Sequence, residues 1–96
     1  MPNLDGQVIL VTGSTQGVGE AIALESARLG AAAVVVCGRN AENGRKVVSD
    51  IEAIGSQSLF VEADLADVQA TRAIVSECDE RFGRIDGLVN AAAMTS

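Results

Sequence analysis

Three glycines fall within seven positions, in the string Val11-Thr12-Gly13-Ser14-Thr15-Gln16-Gly17-Val18-Gly19, and a helix-like run follows at once. Glycine at a helix entrance costs roughly 0.5 to 1 kcal/mol relative to alanine, so such a cluster belongs where the chain must turn sharply or a ligand must approach the backbone. The free N–H groups of a first helical turn suit an anion, with the N–H of Val18 a candidate donor. Phosphate is therefore the chemistry to expect there. Arg39 could add a guanidinium that holds a phosphate through two parallel N–H donors, and the hydroxyls of Ser14 and Thr15 could join it. Asp64 and Asn90 are the other polar residues placed just after apolar, strand-like runs.

These residues need a scaffold, and the hydrophobic pattern supplies one. Val8-Ile9-Leu10-Val11 reads as a strand buried on both faces, and the segment from Gly17 to Leu29 as a helix with a broad apolar face stopped by Gly30. Ala33 to Cys37 repeats the buried-strand signature. Asn40 is a good cap for a second helix running to Ile54, with Val47, Val48, Ile51 and Ile54 on one face and Gly55 closing it. Leu59-Phe60-Val61 predicts a third strand, and Asp67 can cap a third helix whose Val68, Val75, Cys78 and Phe82 share a face, stopped by Gly83. Leu88-Val89-Asn90-Ala91 predicts the fourth strand.

A β-α-β-α-β-α-β pattern with helices of this length implies right-handed crossovers and a parallel sheet covered on both faces. The expected fold is α/β, a Rossmann-type doubly wound parallel sheet of strand order 3-2-1-4, incomplete because the chain stops after its fourth strand. Residues 1–96 read as a single domain. In such a sheet the ligand lies at the C-terminal ends of the strands where the order reverses, between the first and the fourth. The glycine cluster stands at that edge.

The spacing T-G-x-x-x-G-x-G at Thr12, Gly13, Gly17 and Gly19, followed by Asp64 after the third strand and Asn90 at the end of the fourth, resembles the short-chain dehydrogenase/reductase family. The likeness spans nearly the whole chain. It implies that Gly13, Ser14, Thr15, Gly17, Val18 and Gly19 form a pyrophosphate loop, that Thr12 steadies the turn, and that Asp64 and the backbone of Leu65 contact adenine. The family's N-N-A-G motif stands here as Asn90-Ala91-Ala92-Ala93. Asn90 and Ala92 match, whereas Ala91 cannot give the side-chain hydrogen bond of the family's second Asn, and Ala93 tightens the space beside the nicotinamide ribose.

Folds of this type that take NAD carry an acidic residue about 20 residues past the glycines, whereas an Arg accommodates the 2′-phosphate of NADP. The second strand ends Val36-Cys37-Gly38-Arg39, without a carboxylate, so NADP(H) is the expected cofactor and NAD(H) the less favoured one. Glu42 is better read as a first-turn acid favoured by the helix dipole.

By resemblance, hydride would pass between the nicotinamide and a small alcohol or carbonyl substrate, aided by a Tyr, a Lys four residues later and a Ser. The chain has no tyrosine, and its one lysine, Lys46, lies in the polar part of the second helix. Two expectations stand: the cofactor-binding part of a longer oxidoreductase, inactive alone and homo-oligomeric when complete, or a free-standing dinucleotide-binding or interaction module without chemistry.

Composition narrows the partners. Thirteen acidic against seven basic residues give a net charge of -6, with no basic run to favour nucleic acid or an anionic membrane surface. The N-terminus has no positive n-region and the apolar runs are short, so a cytoplasmic location is expected. Cys37 and Cys78 lack the spacing of a metal or redox site and there is no histidine, so both are expected to be buried free thiols with no metal bound. The fourth strand, if left as a sheet edge, is expected to self-associate.

Overall fold

A computed structural model of the chain describes residues 3–63 and 68–91. Its elements alternate as β1 (Val8–Thr12), α1 (Gly17–Arg28), β2 (Ala33–Gly38), α2 (Ala41–Ile54), β3 (Gln57–Glu62), α3 (Val68–Phe82) and β4 (Gly87–Asn90). The strands form one parallel sheet in the order β3-β2-β1-β4, the doubly wound Rossmann arrangement that the alternation predicts. Val11 pairs with Val36 on one side and with Val89 on the other, which brings the C-terminal ends of β1, β2 and β4 level with one another.

Two apolar layers hold the sheet. On one face Ile9, Val11, Val34 and Val36 pack with Ala23 and Ala27 of α1 and with Val47 and Ile51 of α2. On the other, Val8, Leu10, Val35 and Cys37 pack with Ile74 and Cys78 of α3. Val34, Val35 and Val36 are wholly buried, and each such side chain stabilises the fold by at most about 1.5 to 3 kcal/mol relative to exposure. Successive side chains of a strand point to opposite faces, so an unbroken valine run serves both layers.

Local differences from the sequence reading have identifiable causes. β1, β2 and β3 each extend beyond the apolar runs, because ladder pairing carries polar residues such as Gln57, Ser58 and Glu62 into the strand. Ser26 lies on the buried side of α1, where its hydroxyl donates to the Ile22 carbonyl oxygen at 2.8 Å and so is satisfied within its own helix. In α3 it is Ile74, four residues before Cys78, that enters the core, while Val75 is one helical step further round and exposed. Asn40 caps α2 as expected, its Oδ1 accepting from the Asn43 N–H at 3.0 Å. No helix among the described residues is long and apolar enough to cross a membrane.

Candidate dinucleotide-binding site

The β1–α1 turn is built by its glycines. Gly13 at φ 65° and Gly17 at φ 62° both adopt the left-handed conformation that side chains disfavour. Gly19 serves packing instead. A Cβ there would meet backbone, lying 2.7 Å from the carbonyl carbon of Gly13 and 2.9 Å from the Cα of Ser14, so only glycine lets α1 begin this close to β1. The backbone at Gly17 faces open space. Gln16 precedes α1 without a side-chain cap, and the first helical hydrogen bond runs from the Glu20 N–H to the Gln16 carbonyl oxygen at 3.3 Å. The N–H groups of Gly17, Val18 and Gly19 thus precede the bonded helix and can face an anion.

The turn is tied to both neighbouring strands. Fully buried Ser14 donates from Oγ to the Val11 carbonyl oxygen at 2.6 Å and accepts from the Cys37 N–H at 3.0 Å, while its own N–H donates to the Cys37 carbonyl oxygen at 3.0 Å. This corrects the expectation that its hydroxyl helps hold a phosphate beside Arg39. A hydroxyl has one proton, and here Val11 has it. Thr12 reaches sideways, its one hydroxyl proton shared between Asn90 Oδ1 at 2.9 Å and the more distant Val89 carbonyl oxygen at 3.3 Å. The residue expected to steady the turn therefore fastens β1 to β4, and it orients Asn90 so that the amide NH₂ remains available as a donor.

Thr15 differs from Ser14. It is 6% exposed as a residue, and its hydroxyl makes no hydrogen bond among the described residues; no buried side-chain oxygen there lacks a partner, so this one meets solvent. Its side chain covers Gly38 at the end of β2, and the next residue, Arg39, is exposed with no ion pair among the described residues. Lys46 faces solvent and pairs with Asp50 at 3.5 Å. Glu42 is in the first turn of α2 and exposed. Both cysteines are buried free thiols, and burial pushes Cys37 up to about 12 and raises Cys78, so neither forms a thiolate readily. The expected contacts Asp64, Leu65 and Ala92, like the cap Asp67, lie outside the described residues.

Sequence reasoning missed the Ser14 brace, the Thr15–Gly38 contact and the Thr12–Asn90 bond. The only signal for them was that three small hydroxyl residues, Thr12, Ser14 and Thr15, crowd the end of β1, which does not by itself name a partner.

A parallel sheet in this strand order, with a glycine turn opening a helix at the switch point between β1 and β4, defines a Rossmann-type unit. The chain belongs to the short chain dehydrogenase family, whose model matches residues 7–96. A 3beta-hydroxysteroid dehydrogenase of Mediterraneibacter gnavus is 38% identical over 94 residues, covering 98% of this chain and 34% of that protein. A crystal structure of a hydroxysteroid dehydrogenase from Escherichia coli superposes with a TM-score of 0.87 at 34% identity, over 92% of this chain and 37% of that one. A short chain dehydrogenase/reductase from Burkholderia phymatum in complex with NAD gives a TM-score of 0.84 at 27% identity, over 92% of this chain and 31% of that one. The chain thus spans about a third of the length of such relatives.

Proposed function

We propose that this chain is the NADP(H)-binding part of an oxidoreductase that passes hydride between the nicotinamide and an alcohol or carbonyl substrate. The observation that carries the cofactor choice is the end of β2, where Gly38 and an exposed Arg39 with no ion pair among the described residues stand in place of a ribose-binding acid. The residues present fit such a ligand, because the Thr15 hydroxyl makes no hydrogen bond among the described residues and is open to solvent, and the backbone at Gly17 is open. In this reading Gly13, Gly17, Val18 and Gly19 hold the pyrophosphate, Arg39 and Thr15 the 2′-phosphate, Asn90 and Ala92 the nicotinamide ribose, and Asp64 and Leu65 the adenine. When bound, the dinucleotide supplies the hydride donor or acceptor. The relative from Burkholderia phymatum was solved with NAD, so family membership leaves the cofactor to be decided by these side chains.

The general acid and its lysine have no counterpart in these 96 residues, which hold no tyrosine. In the proposed reading they come from further chain, which would also carry the substrate site and the homo-oligomeric contacts, in a cytoplasmic enzyme. The absence of tyrosine equally suits a free-standing dinucleotide-binding module. The intact mass from the native source separates the two, since a species near 9.8 kDa favours the module and one more than twice that mass the enzyme.

Calorimetric titration with NADPH and NADH tests the cofactor. NADPH should bind more tightly, by the roughly 1.5 to 3 kcal/mol of a charge-assisted pair, and Arg39→Asp should reverse the order. Equal affinities in the unsubstituted chain would refute the reading.

A further inference from the structure

The missing side chain at position 38 is not explained by backbone conformation. Gly38 closes β2 with a negative φ, paired to Glu62 of β3, and any residue can adopt such a strand geometry. What excludes a side chain is Thr15. A Cβ on Gly38 would lie 2.8 Å from Thr15 Cγ2 and 3.1 Å from Thr15 Oγ1, but 3.6 Å from Thr15 Cβ, an ordinary contact distance. Rotating Thr15 relieves this only in part, since the mildest rotamer still leaves one γ atom near the position that is 3.1 Å away. Its two γ atoms occupy two of three staggered positions, so each rotamer leaves at least one of them in a position close to residue 38.

We propose that Thr15 is a specificity-determining residue: its branched side chain occupies the room that an acid at position 38 would need, and so bars the carboxylate by which this fold accepts a ribose 2′-hydroxyl. A carboxylate at the C-terminal end of β2 is the usual means of holding an unphosphorylated ribose. With Thr15 in place that position stays bare, and the neighbouring group able to address the ribose is the Arg39 guanidinium. The hydroxyl that fills the space makes no hydrogen bond among the described residues, so the filler also presents a donor to a phosphate. The selectivity is therefore set by a pair, Thr15 with Gly38, in addition to Arg39. This inference rests on the NADP(H) reading.

Two measurements test it, one without ligand. Urea midpoints are compared for Thr15→Ala, Gly38→Ala and the two combined. Gly38→Ala alone should lower the midpoint, and the combined variant should return to that of Thr15→Ala. Additive losses, or an unaffected Gly38→Ala, would overturn the steric interlock. Calorimetry with NADH and NADPH then follows Gly38→Asp alone, with Thr15→Ala, and with Thr15→Val. Only the Ala combination should gain NADH affinity, by about tenfold or more, because Val retains both branches at the clash. A gain by Gly38→Asp alone, or by the Val combination, would refute the proposal. If the unsubstituted chain shows no NADPH preference, the cofactor reading fails and with it the selectivity role, while the urea midpoints still judge the interlock by itself.

Discussion

Asp86 and Val8, 78 positions apart in sequence, form a two-point clasp at the base of the sheet: the Val8 N–H donates to Asp86 Oδ2 at 2.8 Å and the Asp86 N–H donates to the Val8 carbonyl oxygen at 2.9 Å. Arg84 completes it, donating to Asp86 Oδ1 from Nε at 3.1 Å and from Nη2 at 2.6 Å. The clasp joins the start of β1 to the start of β4, at the end of the sheet opposite the glycine turn.

The clasp should make stability depend on acid. The Arg84 hydrogen bonds, then the Val8 N–H, hold the Asp86 carboxyl below the usual carboxylate range. A carboxyl with a lowered folded-state value contributes stability that is present above its unfolded value, near 4, and is lost as pH falls through the folded one. Asp86→Asn should therefore lower the urea midpoint at pH 7 and narrow the difference between pH 7 and pH 3. An unchanged difference would show that the clasp does not sense acid.

Gly19→Ala should harm both fold and binding. The added Cβ meets backbone of Gly13 and Ser14 rather than a movable side chain, so α1 must retreat from β1, at about 1 to 3 kcal/mol of overpacking. A thermal melt and an NADPH titration on the same sample check it. A native melting temperature would show that the turn yields cheaply.

Ser14→Ala should cost stability without altering cofactor preference. It strands the Cys37 N–H inside the sheet, a loss of about 1 to 3 kcal/mol, while the proposed phosphate donors at Thr15 and Arg39 remain. Urea unfolding and the ratio of NADPH to NADH affinity decide it. A collapsed ratio with intact stability would return Ser14 to the phosphate site.

Leu88 on β4 is 65% exposed, and among the described residues β4 pairs only with β1, leaving an outer edge with unpaired backbone groups. Charged residues protect such edges. The 96-residue chain should show a mass in light scattering that rises with concentration, and Leu88→Lys should suppress the rise. A monomer at all concentrations would refute the exposed edge.

Much of this architecture was legible because it rests on single residue types. The valine runs mark strands that need apolar side chains on both faces, and Gly13 and Gly17 mark conformations closed to other residues. Arg39 was legible for the same reason, as a charge at a strand end. Relationships between two small residues were not. Ser14 with Cys37, Thr12 with Asn90 and Thr15 with Gly38 depend on which strand ends come level, and that register follows from the whole sheet. Asp86 is likewise an ordinary turn residue until β4 is placed beside β1. Ile74 and Val75 are equally apolar, and the roll of α3 on the sheet decides between them.

The Thr15–Gly38 contact also gives sequence change a direction. Were a lineage to move from one nicotinamide cofactor to the other, losing the γ atoms of Thr15 first would leave a β carbon at ordinary distance and a viable protein, after which an acid at position 38 could be accepted. The opposite order passes through a crowded intermediate that selection on stability would remove. Descendants in which position 15 has become small while position 38 is still glycine would be the traces of that path, and descendants carrying an acid at position 38 beside an intact threonine should be scarce.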